Sequence, residues 1–521
     1  MILFIAMGGR VEVSAESVTA KNTGRLREVG IIGGMRPPRL LVFAVGLCLL
    51  AAAPRAVQRG PVGPPSPIGP LPSARQLAWH ELEFYGFLHF GINTFTDKEW
   101  GYGDESEALF APSALDARQW ARVARDAGMK GLILTAKHHD GFCLWPSAYT
   151  EHSVKRSPWR DGKGDVLREL AAACKEYGLK MGVYLSPWDR NHADYARPEY
   201  ITYYRSQLRE LLSGYGPLFE VWFDGANGGD GYYSGARERR RIDNRTYYDW
   251  PNTWSIVRQL QPGAVMFSDA GPDVRWVGNE SGVAFETSWY GLDRSATYPG
   301  DSNYAKSLAR GRADASDWVP PEVDVSIRPG WFYHAAEDAK VKTVDQLLAI
   351  YHQSVGRGAN LLLNIPPDRR GLIPEVDAER LRSFRLTRDA MYRTDLARRA
   401  KAVASNVRGP VREFAADRVN DGKADTYWAT ADDVTSGSVT LTFAKPTRVE
   451  RIVLQEVLPL GQRVEAFTVE AEAGGGWKTV AEGTTVGYKR IVPFEPTTAA
   501  RVRVNITRAR ACPTLATVAI Y

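Results

Sequence analysis

Leu218-Phe219-Glu220-Val221-Trp222-Phe223-Asp224-Gly225 is a short apolar and aromatic run that ends in a carboxylate followed by glycine. Its length, its large side chains and the Gly-Pro that precedes it predict a buried strand over 218–224. Working outward, comparable runs lie at 84–93, 131–138, 179–186, 264–268, 283–287, 323–327 and 360–364. Helical patterns fall between them, at 113–127, 165–177, 198–212, 254–260 and 344–355. Strand alternating with helix, about eight times in roughly 300 residues, is the requirement of a (β/α)8-type barrel. The fold class expected is therefore α/β, with the catalytic barrel over 73–400.

Beyond residue 404 the pattern changes to short alternating strands at 438–444, 448–457, 465–473, 489–494 and 501–507, with turn residues between them. This predicts an antiparallel β-sandwich domain over 404–521. On the N-terminal side, 58–72 is rich in Pro and Gly and reads as an extended linker. Upstream of it, 35–57 has a basic start, an apolar core and small residues after it, the layout of a secretory signal peptide. Translation is expected to start at Met35, with 1–34 as an upstream extension, and the product to be exported to the periplasm or the extracellular space. The apolar run is too short to span a bilayer.

Composition narrows the function. The chain has 521 residues, 44% hydrophobic and 24% charged, with a formal charge of +6. Apart from a short run at Arg237, Arg239, Arg240 and Arg241 that charge is dispersed, which argues against nucleic acid as a partner. Four cysteines, one of them inside the signal, give neither a disulfide framework nor a metal spacing. Fifteen Trp and twenty-three Tyr exceed ordinary core needs, and flat aromatic faces suit the C–H faces of sugar rings.

Polar residues gather at the predicted strand ends, where barrel enzymes place their sites. Strand one ends in His89-Phe90-Gly91, strand two in His138-His139-Asp140-Gly141-Phe142, strand three in Tyr184-Leu185-Ser186-Pro187-Trp188 and strand four in Asp224-Gly225. Successive residues of a strand point to opposite faces, so one of the two histidines at most is expected to face the axis. Together these segments resemble glycoside hydrolase family 29, the α-L-fucosidases, over most of 79–367. Residues 268–280, Ser-Asp-Ala-Gly-Pro-Asp-Val-Arg-Trp-Val-Gly-Asn-Glu, resemble the branch that prefers α1,3- or α1,4-linked fucose on a branched N-acetylglucosamine.

The resemblance implies a retaining α-L-fucosidase acting on fucosylated oligosaccharides or glycoconjugates, without a cofactor or a catalytic metal. Asp224 matches the nucleophile and Glu280 the general acid/base, with Asp269, Asp273 and Glu286 as competing carboxylates. His89, His138, His139, Tyr184, Trp222 and the pair Glu99-Trp100 match the fucose pocket, and Trp331 an aromatic against the fucose methyl. Arg275 is expected to hold a carboxylate in its charged form or to serve a structural ion pair. All of these precede Asn364, so the sandwich is expected to be dispensable for turnover of a small aryl fucoside. Residues 420–428 resemble the turn of discoidin-like, galactose-binding-type sandwiches, which often holds a structural calcium; the acidic residue usual near the end of such domains is missing from 517–521, and Trp428 is expected in the core. Alternative readings are a broad-specificity α-L-fucosidase, a metal-dependent barrel hydrolase using His138, His139 and Asp224, and a non-catalytic glycan-binding protein.

Overall fold

The computed structural model describes residues 62–301, 305–410 and 412–521. The upstream extension, the signal segment and the start of the linker lie outside the described residues.

Eight parallel strands close into a barrel in chain order: Phe84–Leu88, Gly131–Lys137, Lys180–Leu185, Leu218–Trp222, Val265–Ser268, Val274–Trp276, Pro321–Ser326 and Asn360–Asn364. The first and last strands pair, with Phe84 opposite Leu361. Alternation along each strand sorts the side chains. Tyr85, Phe87, Ile133, Tyr184 and Phe267 fill the barrel, while Phe84, Leu88 and Leu134 face the helices. The helices start and stop where local chemistry dictates. Asp116 caps Ala117–Ala127 through the Arg118 amide and Asp165 caps Val166–Tyr177 through the Arg168 amide, and both helices end on a glycine with positive φ.

The sixth strand differs from expectation. It is the three-residue Val274–Trp276, reached from the fifth strand by a tight turn with no intervening helix. Residues 283–287 are not in a barrel strand: Val283 and Ala284 bond to Asn279, Gln353 and Arg357, and the Glu286 carbonyl bonds to Thr484 and Arg490 of the C-terminal domain. So short a strand without its own helix carries no periodicity to read.

In the C-terminal domain, Gly437–Glu456, Val464–Ala473, Gly476–Gly483, Arg490–Ala509 and Thr514–Ile520 pair antiparallel, and Lys401–Ala404 adds to the first of them. Trp428 is wholly buried and donates Nε1–H to the Asn406 carbonyl at 2.8 Å, a core residue as expected. The linker is extended but not free. Arg408 Nε donates to Gly63 O at 2.7 Å, Arg463 Nη2 to Ser66 O at 2.6 Å, and Ile68 N to Leu460 O at 3.1 Å. Among the described residues no helix is long and apolar enough to cross a membrane.

Candidate active site

Asp224 lies two residues beyond the fourth strand and Glu280 four residues beyond the sixth. Since all eight strands run parallel, both carboxyls stand at the C-terminal mouth. Asp224 is gripped at both oxygens: Tyr184 OH donates to Oδ2 at 3.0 Å and the Ala226 amide to Oδ1 at 2.7 Å. Burial raises the Asp224 pKa and these two bonds oppose the rise. Gly225 matters through its missing Cβ, because a side chain there would overlap the Asp269 carboxylate.

Glu280 is exposed at the rim and accepts Trp331 Nε1–H at 3.3 Å. Its pKa is raised, mainly because the walls of the mouth partly desolvate the carboxyl although the residue is open to solvent, and further by the charge of Asp224. A protonated acid beside an ionised carboxylate is the pairing that glycoside hydrolysis uses. The competing carboxyls separate by environment. Asp273 is ion-paired to Arg75 at 3.2 Å and also to Arg258. Glu286 is held by Arg357 at 3.1 Å and by Arg490. Asp269 accepts the Gly300 amide at 3.0 Å, and burial with the Asp224 charge pushes it up to about 6.

Both histidines of the second strand end face the pocket, correcting the expectation of one. The strand ends at Lys137, with a register shift between Thr135 and Lys137, so strict alternation no longer applies and the two rings stand 4.2 Å apart. Ser186 Oγ donates to Trp188 O at 2.6 Å, so it accepts from His139 Nδ1–H at 2.7 Å. Burial holds His139 neutral, with its pKa lowered to about 3, and its Nε2 lies 3.9 Å from Asp224 Oδ2. His89 is fixed in the same tautomer. The Asn364 amide donates to Ser326 Oγ and Trp331 O, leaving its Oδ1 to accept His89 Nδ1–H at 2.9 Å. His138 stacks on Tyr184 with ring centroids 5.7 Å apart, and its buried Nδ1 has no hydrogen-bond partner among the described residues.

Tyr184 stacks on Trp222, which stacks on Phe267 at 4.0 Å. Below them is a feature the sequence reading missed. Trp222 Nε1 donates to Glu322 Oε1 at 2.8 Å, and Tyr85 OH donates to the other Glu322 oxygen. Trp79 Nε1 reaches Glu220 Oε2 at 3.1 Å. Both carboxyls are fully buried, and burial raises both pKa values, that of Glu220 further through the charge of Glu322. Glutamates at alternate positions of apolar strands were the available signal.

Of three further expected residues, two stand at the mouth and one does not. Glu99 has its oxygens occupied by the Trp331 amide at 2.8 Å, the Phe332 amide at 3.1 Å and His334 Nε2 at 2.6 Å, so it shapes the segment that carries Trp331. Trp100 is 52% exposed and lies edge-on to His139 and Trp188, as a wall of the mouth. Arg275 is outside the pocket and meets no carboxylate. It is wholly buried and donates to the carbonyls of Leu308 at 2.5 Å, Trp289 at 2.9 Å and Val319, which converge there from the helix Ala305–Arg310 and two loops.

Among the described residues no group of three or more His, Cys, Asp or Glu is arranged to hold a metal ion. The discoidin-like turn does not suit calcium either. Asp421 accepts from Lys423 N and Thr426 Oγ1 and sits 3.5 Å from Arg418, while the Arg398 guanidinium packs over Gly422 and donates to Asn420 O at 3.4 Å. Two fixed cations already occupy that turn.

The alpha-L-fucosidase family model matches residues 76–385, and the F5/8 type C domain model matches 401–517. The chain is 44% identical to alpha-L-fucosidase 1 of Arabidopsis thaliana over 463 residues, 88% of each chain. A putative alpha-L-fucosidase from Bacteroides thetaiotaomicron superposes with a TM-score of 0.80 at 41% identity, covering 88% of this chain and 98% of that one. A glycoside hydrolase family 29 fucosidase of Ruminococcus gnavus in complex with fucose gives 0.80 at 32% identity, over 89% and 97%. With the barrel and its mouth described and these relatives beside it, the chain belongs to the glycoside hydrolase family 29 α-L-fucosidases.

Proposed function

We propose that this α-L-fucosidase is a retaining enzyme that removes terminal α1,3- or α1,4-linked fucose from a branched N-acetylglucosamine. Asp224 attacks the anomeric carbon while Glu280 protonates the departing glycosidic oxygen. Glu280 then takes a proton from water, which cleaves the fucosyl–Asp224 ester. The observation that carries the mechanism is the pair itself: an Asp224 carboxylate stabilised by Tyr184 and Ala226, and a rim carboxyl with a raised pKa. The neutral histidines His89 and His139 present acceptor nitrogens for sugar hydroxyls, and the Trp331 face is offered to the fucose methyl. Filling that methyl site discriminates fucose from galactose by ~1–3 kcal/mol.

The linkage preference is supported by the 268–280 segment, and export by the signal-like layout of 35–57. Comparing kcat/KM for a branched Lewis-type trisaccharide with that for a simple aryl α-L-fucoside tests the branch. Preference for the aryl fucoside would favour the broad-specificity alternative. Release of α-L-fucose as the first anomer, followed by NMR, tests retention.

A further inference from the structure

The loop that carries Glu280 continues into a segment with no partner strand in the barrel. Asn279 closes the loop on itself, donating to Val283 O at 2.8 Å and accepting the Ser281 amide at 3.1 Å. The end of the helix Val344–Gln353 and the turn after it hold the next residue: Ala284 N donates to Gln353 O at 2.9 Å, and Arg357 Nη1 to Ala284 O at 2.7 Å. From Glu286 onward the partners come mostly from the sandwich. Arg490 donates to the Glu286 carbonyl at 3.0 Å and to its carboxylate, and Thr484 Oγ1 donates to the same carbonyl at 3.1 Å. Thr485 Oγ1 accepts the Ser288 amide at 2.9 Å. Gln462 bridges Ser288 O and Tyr290 N at 2.8 and 3.0 Å. Tyr290 OH accepts the Tyr488 amide at 2.8 Å and donates to Gly358 O at 2.8 Å.

Glu286 is the hinge of this arrangement. One arginine from the barrel, Arg357, and one from the sandwich, Arg490, close on its carboxylate. Arg490 is almost wholly buried, which fixes the guanidinium in place, while the Glu286 carboxylate it holds stays partly open to solvent. Backbone groups in an extended segment must find partners, and here the second domain supplies them. Without those bonds residues 286–290 would open locally, and the loop six residues upstream would rest on the sixth strand and on the barrel contacts of Ala284 alone.

We infer that the sandwich braces the acid/base loop: Arg490, Gln462 and Thr485 are positioning residues that hold Glu280 at the leaving oxygen by fixing 286–290. The inference rests on Glu280 as the acid/base. Its signature is a defect that grows with the basicity of the leaving group, because a good leaving group departs without protonation and a sugar alkoxide does not.

The test measures kcat/KM for Gln462→Ala, Thr485→Val and Arg490→Lys on 2,4-dinitrophenyl α-L-fucoside and on a branched Lewis-type trisaccharide, with Glu280→Ala alongside. The bracing variants are expected to lose about 10- to 100-fold on the trisaccharide, the scale of a misplaced catalytic group, and to stay within about twofold on the aryl fucoside. Hydrogen exchange at 286–290 is expected to accelerate in the same variants. An equal loss on both substrates, or none on either, in variants that melt as wild type does overturns the brace. Glu280→Ala should show the same selectivity at full strength. If it shows none, the assignment of Glu280 fails, and the brace with it; if it shows selectivity and the three variants do not, only the brace fails. Thr485→Val is the mildest of the three, so a folding defect in Arg490→Lys does not decide the outcome.

Discussion

Tyr184 donates its hydroxyl hydrogen to Oδ2 of Asp224 at 3.0 Å, from the strand next to the one that ends before Asp224. The tyrosine is wholly buried, with its pKa raised by burial and by Asp224, so it stays a donor at any working pH. The bond stabilises the ionised nucleophile. Tyr184→Phe should therefore raise the pKa of Asp224 and move the acid limb of the kcat/KM profile to higher pH. A hydrogen bond to a charged group is worth about 1.5–3 kcal/mol, so a rate loss of roughly 10- to 150-fold is expected. An unmoved acid limb would detach Tyr184 from the nucleophile.

Asp224→Ala should abolish nearly all turnover and leave thermal unfolding close to wild type, since among the described residues the carboxylate bonds Tyr184 and the nearby Ala226 amide. Azide added to that variant should give β-L-fucosyl azide, by attack from the vacated face. A fucosyl azide of retained configuration would mean that another residue is the nucleophile.

Trp331 bonds the charged form of Glu280 and so lowers a pKa that burial raises. Trp331→Phe removes the donor and keeps an aromatic ring. The basic limb of the pH profile, where the acid loses its proton, should move to higher pH. A shift to lower pH would contradict the assigned donor.

Lys137 stands immediately before the paired histidines with its Nζ wholly buried, 2.9 Å from Asp189 and 3.0 Å from Gln207 Oε1. Asp189 also accepts the amides of Asn191 and His192, which anchors the loop that carries Trp188. Lys137→Met leaves that carboxylate buried without its cation and should cost about 3–5 kcal/mol, read as a drop in melting temperature. Adding Asp189→Asn should recover part of the loss.

The barrel is legible because seven of its strands are apolar runs with polar ends, and the pocket because those ends carry His89, His138, His139, Tyr184 and Asp224. Legibility stops where a role is fixed by distant residues. Arg275 reads as a polar residue in a catalytic stretch, yet its partners Leu308 and Val319 lie 33 and 44 positions away. Residues 283–287 have the composition of a barrel strand, but the bonds that hold Ser288 reach Thr485, 197 positions on. Local periodicity reports local burial, not which domain provides it. The expectation that a small aryl fucoside is turned over without the sandwich rests on the same local reading, in which every pocket residue precedes Asn364.

The docking of 63–68 on the sandwich has a consequence for biosynthesis. Gly63 and Ser66 leave the ribosome about 340 to 400 residues before Arg408 and Arg463, the side chains that receive them. Through most of translation at ~5–20 residues per second, this Pro- and Gly-rich stretch has nowhere to settle. It lies across the finished protein as a closing seam, joined only after the last domain has folded. A protease supplied during synthesis should cut there readily, and one supplied afterward should find the same bonds shielded.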